Sequence, residues 1–485
     1  MIIKKSLIFV MLSLLSTMLY AEENTEKNDS SCISISPFTN LTLENALKIM
    51  KNNNLELKIS KFNEQMKAHE AKVAKGHNYG KLDLKLQALR SNDAGNIFGF
   101  KLKSREANFG DFGFSDFITP LGGAINGASQ GNPPPDMSGL LNVQPNDLNY
   151  PDARNHFQTT LTYMVPLYTG GKLDQYGKIT TALQTMSQLD TSKLLNEKIF
   201  QTTKTFYDIS LIDHYISNLT NIVNNIHQLE GIVSSMKEEG FTKEIDELEV
   251  RAKRSEAESM LSQATYNKEL AYQYLSFLLN HKIDSIQTVD DLAPMPNVVK
   301  QEVQNNNLDI QKAKLGLKIT DMAIKLQEAS FLPTVGAFGE YGSSDDKIFN
   351  DFIDKDFYTV GLQLEWNLFN GNIDKHNLEK AKVENMKVRD QVELAKNGIS
   401  LKVKKLITEV KSKDAEITSL ETQLDFATKV YESYEEQYQE GISSISDVLI
   451  KQSKELEVLL KLLTAKNDRN SKVFELTSII NKEEI

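Results

Sequence analysis

Two long tracts without proline constrain the fold of this chain more than any other feature. All 11 prolines lie outside residues 167–293 and 334–485. Because a proline inside a helix costs about 3 kcal/mol, this distribution is typical of very long helices. Apolar residues in the second tract recur at spacings of three and four; they are Ile417, Leu420, Leu424, Ala427, Tyr431, Tyr434 and Tyr438. This heptad pattern predicts that the long helices pack as coiled coils.

A glycine interrupts each tract at an equivalent place. Gly240 is followed six residues later by Asp246, and Gly441 is followed six residues later by Asp447. Each pattern predicts that a long helix ends at the glycine and that a second helix returns after a tight turn. The two tips lie 201 residues apart, so we interpret the chain as a tandem duplication.

An earlier match between the two halves has a larger offset. The motif Asn-Asn-Asn-Leu ends at Leu55 and again at Leu308, 253 residues later. The first repeat therefore contains 52 additional residues. They fall within residues 89–155, which are rich in Gly, Asn, Asp and Phe, and residues 342–355 are the short equivalent. Both segments are predicted to be irregular loops.

Alternating apolar and polar residues flank both loops. Three of these segments alternate around residues 82–86, 157–165 and 335–341. In the fourth, one face carries Tyr358, Val360, Leu362, Leu364, Trp366 and Leu368, and the other carries Thr359, Gly361, Gln363, Glu365 and Asn367. A period of two predicts four strands per chain.

Tyr358 and Trp366 place an aromatic residue near each end of the fourth strand. Eight residues span roughly 26 Å in a strand, and tilting brings that length near the apolar height of an outer-membrane barrel. The two residues are candidates for the aromatic girdles of such a barrel. The alternative is a strand of a soluble sandwich. Four strands separated by long helices cannot close a sheet alone, so either interpretation requires other chains.

Residues 1–21 have the features of a secretory signal peptide, and residues 22–40 are interpreted as a spacer. Lys4 and Lys5 form a basic start, an apolar run follows, and Leu-Tyr-Ala ends the segment. The run is short for a membrane span, which disfavours a retained anchor. The only cysteine, Cys32, cannot form an internal disulfide and belongs to the spacer.

Charge and motifs exclude several classes of function. The net charge of −11 becomes more negative when the two lysines of the signal peptide are removed, which argues against nucleic-acid binding. The seven histidines show no metal-ligand spacing, and there is no cysteine pair, phosphate-binding glycine loop or nucleophile elbow. We therefore expect no enzyme activity, no bound metal and no cofactor.

The order of these features resembles the TolC family of outer-membrane channels. A signal peptide precedes two repeats of helix, strand, loop, strand, long helix, glycine turn and return helix. The motifs that carry the resemblance are residues 41–47 with 52–55, the glycine steps at 167–171 and 368–371, and the tip at 438–449. Each motif is weak alone, but their order, found twice, is specific.

The resemblance implies an α+β membrane protein with a TolC-like tandem-repeat fold. Residues 41–293 would form the first repeat and residues 294–485 the second. Three chains with four strands each would close a 12-stranded β-barrel in outer-membrane lipid. The long helices would continue as a coiled-coil α-helical barrel through the periplasm of a Gram-negative bacterium.

The implied function is a passive exit duct of a tripartite efflux or type I secretion system, gated at the periplasmic helix tips. The implied partners are two further copies of the chain, a periplasmic adaptor and an inner-membrane pump of the RND or ABC type. The alternative is a periplasmic coiled-coil adaptor or scaffold without a pore. That alternative explains the heptads but not four aromatic-bearing strands at matching places in a duplication.

The resemblance also assigns roles at the tips. Asp447 matches an acid that forms a ring around the pore, and acidic rings attract cations. Asp246 and Tyr438 match residues that hold the tip closed. The chain departs from the family pattern at Ser443, where a latch arginine is expected, and at Ile450, where a second ring acid is expected.

A purely structural role for these acids is the alternative. Ser444 lies three residues before Asp447, so the pair also fits a capping box that stabilises a helix start. Asp246 has no Ser or Thr three residues before it, which weakens the capping interpretation at the first tip.

Residues 90–155 are predicted to face the outside of the cell, because outer-membrane barrels have short periplasmic turns and long external loops. We interpret this loop as a partial lid or a docking surface for phage or toxins, or as a solvated loop without a role.

Overall fold

The computed structural model describes residues 38–130, 139, 142–289, 292–348 and 351–481. The predicted signal peptide, Cys32 and residues 133–135 lie outside these ranges. The first repeat contains, in order, α1 (Leu43–Asn53), α2 (Leu55–Gly76), β1 (Lys81–Ser91), α3 (Ala94–Lys103), α4 (Phe114–Ser129), α5 (Asn146–Asn149), β2 (Arg154–Tyr168), α6 (Lys172–Glu238) and α7 (Glu244–Leu279). The second contains α8 (Lys300–Asn306), α9 (Leu308–Glu328), β3 (Thr334–Asp345), β4 (Asp356–Glu365), α10 (Ile373–Gln439) and α11 (Ile445–Ile480).

The two halves repeat the same long elements. Helices α6 and α10 each contain 67 residues, and the return helices α7 and α11 each contain 36. These equal lengths confirm the tandem-repeat architecture and the prediction of very long helices. None of the described helices is both long and apolar enough to cross a membrane.

A matching asparagine fixes the start of α2 and of α9. The Asn54 side chain accepts the N–H three residues ahead at 3.0 Å and donates to the carbonyl of Leu278 at 2.8 Å. Asn307 accepts the N–H three residues ahead at 3.1 Å and donates to the carbonyl of Ile479 at 3.1 Å. Each asparagine therefore caps one helix and ties it to the end of the return helix.

The helices of each chain pack side by side as a row. Nearest the sheet the order is α2, α6, α9 and α10, and nearer the tips it is α7, α6, α11 and α10. The predicted heptad seam of α10 lies in these contacts, because Ile417, Leu420, Ala427, Tyr431 and Tyr438 are all buried. Tyr431 and Tyr438 pack in one cluster with residues of α6, α7 and α11.

The four strands form one antiparallel sheet in the order β1-β2-β3-β4. Leu84 pairs with Leu161, Leu161 with Tyr341, and Tyr341 with Tyr358, so these residues share one face. Strands β1 and β4 are the two edges of this sheet. The four predicted strands and the α+β fold class are confirmed.

The limits of two strands differ from the sequence predictions. Strand β3 continues to Asp345, because its polar residues 343–345 still pair with β2. Strand β4 ends at Glu365. Trp366 and Leu368 therefore follow the strand, and the Trp366 indole donates to the carbonyl of Phe331 at 3.1 Å.

The prediction of an irregular loop over residues 89–155 was wrong in part, since this segment contains α3, α4 and α5. Its glycine and asparagine content suggested loop, but the local signals favour helix. The Asp93 side chain accepts the N–H of Asn96 at 2.9 Å and caps α3. Ile97 and Phe100, three residues apart, are buried on one side of this helix.

Candidate channel wall and periplasmic gate

One face of the sheet carries an exposed apolar band. Leu82, Leu84 and Leu86 of β1 are 60–64% exposed, and Val360 and Leu362 of β4 are 74% and 73% exposed. On a soluble surface such a band is unfavourable, and contiguous apolar patches of this kind mark interaction with a partner or a membrane. Alternation of apolar and polar residues is typical of barrels that face lipid outside and water inside.

The opposite face of the sheet is mainly polar, although Met164, Phe338 and Phe357 also lie on it. It carries Asp83 and Lys85 on β1, Thr160 and Thr162 on β2, and Gln363 on β4, because residues of one parity point the same way across the paired strands. A closed barrel with this pattern has a water-filled interior.

The two girdle candidates lie at opposite ends of the apolar band. Tyr358 is 77% exposed and pairs directly with Tyr341 near the outer end of β3. Trp366 is 55% exposed at the end from which the long helices depart. Tyr79 and Tyr168 lie at that same end, beside the limits of β1 and β2. The membrane role of Tyr358 and Trp366 remains a prediction.

Glycine forms the turn at both helix tips. Gly240 has a φ of 82° and Gly441 a φ of 75°, values that favour glycine over residues with a Cβ atom. The next N–H donates back into the helix in both cases, from Phe241 to the carbonyl of Met236 and from Ile442 to the carbonyl of Gln437, each at 2.8 Å. This is the backbone pattern of a Schellman cap.

Asp447 takes part in a helix cap. Its N–H donates to Ser444 Oγ at 3.2 Å, and the Ser444 hydroxyl donates to Asp447 Oδ2 at 2.6 Å. The residue remains exposed, so the cap leaves the carboxylate accessible to solvent. The predicted place of Asp447 in an acidic ring remains a prediction, and the two roles are compatible.

Asp246 is also part of a helix cap. The sequence had argued against this role, because Asp246 has no Ser or Thr three residues before it. The Thr242 hydroxyl, four residues earlier, donates to Asp246 Oδ2 at 2.6 Å, and the Lys243 N–H donates to the same oxygen at 3.0 Å. The Thr242 bond is the main cause that lowers the pKa of Asp246. The sequence prediction missed the bond to Thr242 because a capping box places the Ser or Thr three residues before the acid, not four.

Tyr438 lies in the interior of the tip rather than on its surface. It is 5% exposed, and its hydroxyl makes no hydrogen bond of standard geometry among the described residues, although the Thr242 hydroxyl lies near it. Burial is the main cause that raises the pKa of Tyr438, and the Asp246 carboxylate adds to it. Tyr438 belongs to the same buried cluster as Val250 of α7, so two of the three predicted gate residues, Tyr438 and Asp246, lie near each other at the tip.

An ion cluster at the first tip was missed by the sequence analysis. Glu247, only 5% exposed, accepts from Lys237 at 2.6 Å and from Arg251. Glu230 accepts from Arg254 at 2.6 Å and from Arg251 at 3.1 Å. The cluster joins α6 to α7 across the turn.

The second tip replaces this cluster with apolar packing. At the offset of 201 residues, Val448 stands where the first tip has Glu247, and Tyr431 stands where it has Glu230. The spacing of Glu247 and Arg251, four apart on one helix, was visible in the sequence. The partners across the hairpin were not, because they depend on the register of two helices.

Comparisons with known proteins agree with this geometry. Residues 299–482 match the family model described as outer membrane efflux protein. A search of curated proteins found no match. The solved structure of the CmeC outer membrane channel of Campylobacter jejuni has a TM-score of 0.73 at 14% identity, over 91% of this chain and 87% of that one.

Two further solved structures give the same result. The outer membrane protein VceC of Vibrio cholerae has a TM-score of 0.70 at 13% identity, over 90% of this chain and 95% of that one. The open state of the MtrE outer membrane channel of Neisseria gonorrhoeae has a TM-score of 0.70 at 14% identity, over 94% of each chain.

The chain has the fold of these TolC-like channel structures, and residues 299–482, within its second repeat, match the outer membrane efflux protein family. The predicted resemblance and the predicted TolC-like fold of the single chain are thereby confirmed. The family match also supports the predicted outer-membrane location and the efflux channel over the periplasmic scaffold without a pore.

Proposed function

We propose that three copies of this chain assemble into an exit duct of a tripartite efflux or type I secretion system. The duct crosses the outer membrane through the sheet and the periplasm through the long helices. One observation carries this proposal. Within a single chain the sheet has an unpaired strand on each side, and the row of helices has an uncovered helix on each side.

The sheet leaves strands β1 and β4 open. Exposed strand edges with free N–H and C=O groups favour pairing with another chain, and within hydrocarbon such groups need partners. Pairing of β4 with β1 of the next copy satisfies both edges at once. Repetition of this contact around an axis closes the sheet into a barrel, with the apolar face outward and the polar face inward.

The row of helices is open in the same way. Helix α2, at one end, exposes an apolar stripe of Leu55, Ile59, Phe62, Met66 and Val73 at helical spacing. Helix α10, at the other end, exposes Val383, Met386, Leu394 and Leu401. Both stripes are apolar and exposed, so each can bury the other. We expect α2 of one copy to pack on α10 of the next, which closes the row into a tube.

The tube is gated at its periplasmic end, where the Gly240 and Gly441 turns converge. Three copies of Asp447 around the axis form an acidic ring that attracts cations. Asp246 and Tyr438 join α7 to α10 within each copy and hold the tip. The partners are a periplasmic adaptor and an inner-membrane pump of the RND or ABC type, which supply cargo and energy to a passive duct.

Assembly can be tested by disrupting one helix edge. Phe62→Gln removes an apolar side chain from the exposed stripe of α2, whereas Lys61→Gln, on the neighbouring exposed residue, leaves the stripe intact. We expect heat-modifiable trimers in the outer-membrane fraction of the parent and of Lys61→Gln, and fewer trimers for Phe62→Gln. A soluble periplasmic monomer in all three cases would contradict the proposal.

A further inference from the structure

The insertion between β1 and β2 does not project freely from the sheet. Helix α3 packs against β3, and the Phe100 ring stacks on the His156 ring of β2 with centroids 4.1 Å apart and planes 5° apart. His156 is 1% exposed and Ile97 is 3% exposed. The start of the insertion is therefore a packed part of the wall.

The side of the wall that α3 covers is the polar side. His156 has the same parity on β2 as Gln158, Thr160 and Thr162, whereas Leu161 belongs to the apolar face. At the end of β3 both sides are buried: Ser344 on the polar side is 2% exposed, and Asp345 on the other side, which Lys355 of the β3–β4 loop contacts, is 3% exposed. The stacking of Phe100 on His156 therefore decides which side α3 covers. In a barrel that faces lipid with its apolar side, α3 lies inside the mouth.

An ion network fixes the end of α3 in this place. Glu106 pairs with Arg154 of β2 and with Lys355 of the β3–β4 loop, and Lys355 also pairs with Asp345 at 2.7 Å. The Arg154 guanidinium donates to Ser104 Oγ at 3.1 Å. Two strands and one loop therefore hold the segment that follows α3.

These charges balance one another. Burial opposes the charged form of Glu106, but the bonds to Lys355 and Arg154 outweigh burial and lower the pKa of the carboxyl group. Glu106, Asp345 and Asp346 lie close enough to hold a cation. The Lys355 ammonium already bonds two of these acids, so the cluster is an anchor and not a metal site.

We propose that residues 94–106 form a lid seated inside the outer mouth of the barrel, which admits small solutes and excludes bulky ones arriving from outside. The proposal rests on the trimeric duct proposed above, because three lids surround the axis only when three copies close the sheet. A helix with its side chains is about 10–12 Å wide, so three of them narrow the mouth substantially. The described residues of the short loop in the second repeat, 346–348 and 351–355, contain no such helix.

The lid can be removed without breaking the strands that carry it. Ser91 and Arg154 are paired neighbours on β1 and β2, so an Asn-Gly turn can replace residues 92–153. Gln363→Cys reports access to the lumen, since Gln363 lies on the polar face near the inner end of β4. Lys347→Cys, in the exposed β3–β4 loop, reports access to the outer surface. Both are placed in a Cys32→Ser background, which contains no other cysteine.

Intact cells are treated with a small or a bulky membrane-impermeant maleimide, and trimers are quantified in the same samples. With the lid present, we expect Gln363→Cys to react readily with the small reagent and several-fold more slowly with the bulky one. Removal of the lid abolishes this difference, and Lys347→Cys reacts equally with and without the lid.

A second variant keeps the insertion and releases its anchor. Glu106→Gln is expected to increase the rate at which the bulky reagent reacts with the cysteine of Gln363→Cys. Asp152→Asn, elsewhere in the insertion, is expected to leave that rate unchanged. Equal rates with and without the lid in samples that form trimers would overturn the lid and leave the duct standing. Absence of trimers in the parent would overturn the proposed function and the lid together.

Discussion

The apolar band gives the sharpest prediction, at Leu362. This residue lies four positions from Tyr358 and four from Trp366, roughly 13 Å from each along the chain. It is therefore near the midplane if the two aromatic residues mark the membrane boundaries. An arginine facing lipid at the midplane costs about 2–4 kcal/mol. Each 1.4 kcal/mol changes an equilibrium constant about tenfold. Leu362→Arg is therefore expected to lower the equilibrium constant for folding in lipid roughly 30- to 700-fold.

The measurement is refolding from urea into lipid vesicles, with the folded fraction read from heat-modifiable migration. Gln363→Arg is the matched control, because the same side chain one residue away points to the aqueous interior and is expected to be tolerated. Leu364→Arg, two residues from Trp366, is expected to cost less than Leu362→Arg, since the cost falls towards the interface. Equal costs for Leu362→Arg and Gln363→Arg would refute the assignment of the two faces.

Three predictions concern the tips. Asp447→Asn is expected to lower the cation selectivity of purified trimers in a planar bilayer, with little change in their thermal stability. Lost stability with unchanged selectivity would show that Asp447 acts only as a helix cap. Asp246, whose pKa is lowered in the folded protein, stabilises the tip above the pKa of the unfolded state. The difference in melting temperature between parent and Asp246→Asn is therefore expected to be constant from pH 5 to 7 and to shrink below about pH 4; a difference that grows with acid would contradict this sign. Tyr438→Phe, which removes a buried hydroxyl without a hydrogen bond of standard geometry, is expected to be nearly neutral in a denaturant titration, whereas Tyr438→Ala costs about 3–5 kcal/mol. A large cost for Tyr438→Phe would show that the hydroxyl has a bonded role.

The repeated elements of the fold could be predicted from the sequence because they depend on local periodicity. Heptad spacing around Tyr431 and the glycines at both tips report helix packing and helix ends directly. The strands were visible through alternation, as at Leu362. The end of β4 was not, since the apolar spacing continues through Leu368 after the pairing with β3 has ended.

The parts that escaped prediction depend on contacts between distant segments. Helix α3 lies in a sequence rich in glycine and asparagine, and its stability comes from Phe100 packing on His156, 56 residues later. The anchor of Glu106 to Lys355 joins the two repeats. No sequence spacing predicts such pairs, because the two residues meet only after the strands have paired in the correct register.

The most direct test of the central claim is electron cryomicroscopy of the complex extracted from outer membranes. The account predicts a three-fold particle with one 12-stranded barrel, in which β4 of each copy pairs with β1 of the next, continued by a helical tube. Its lumen is lined by the polar face that carries Gln363. Single chains, or copies joined without β4–β1 pairing and without a continuous lumen, would contradict the account.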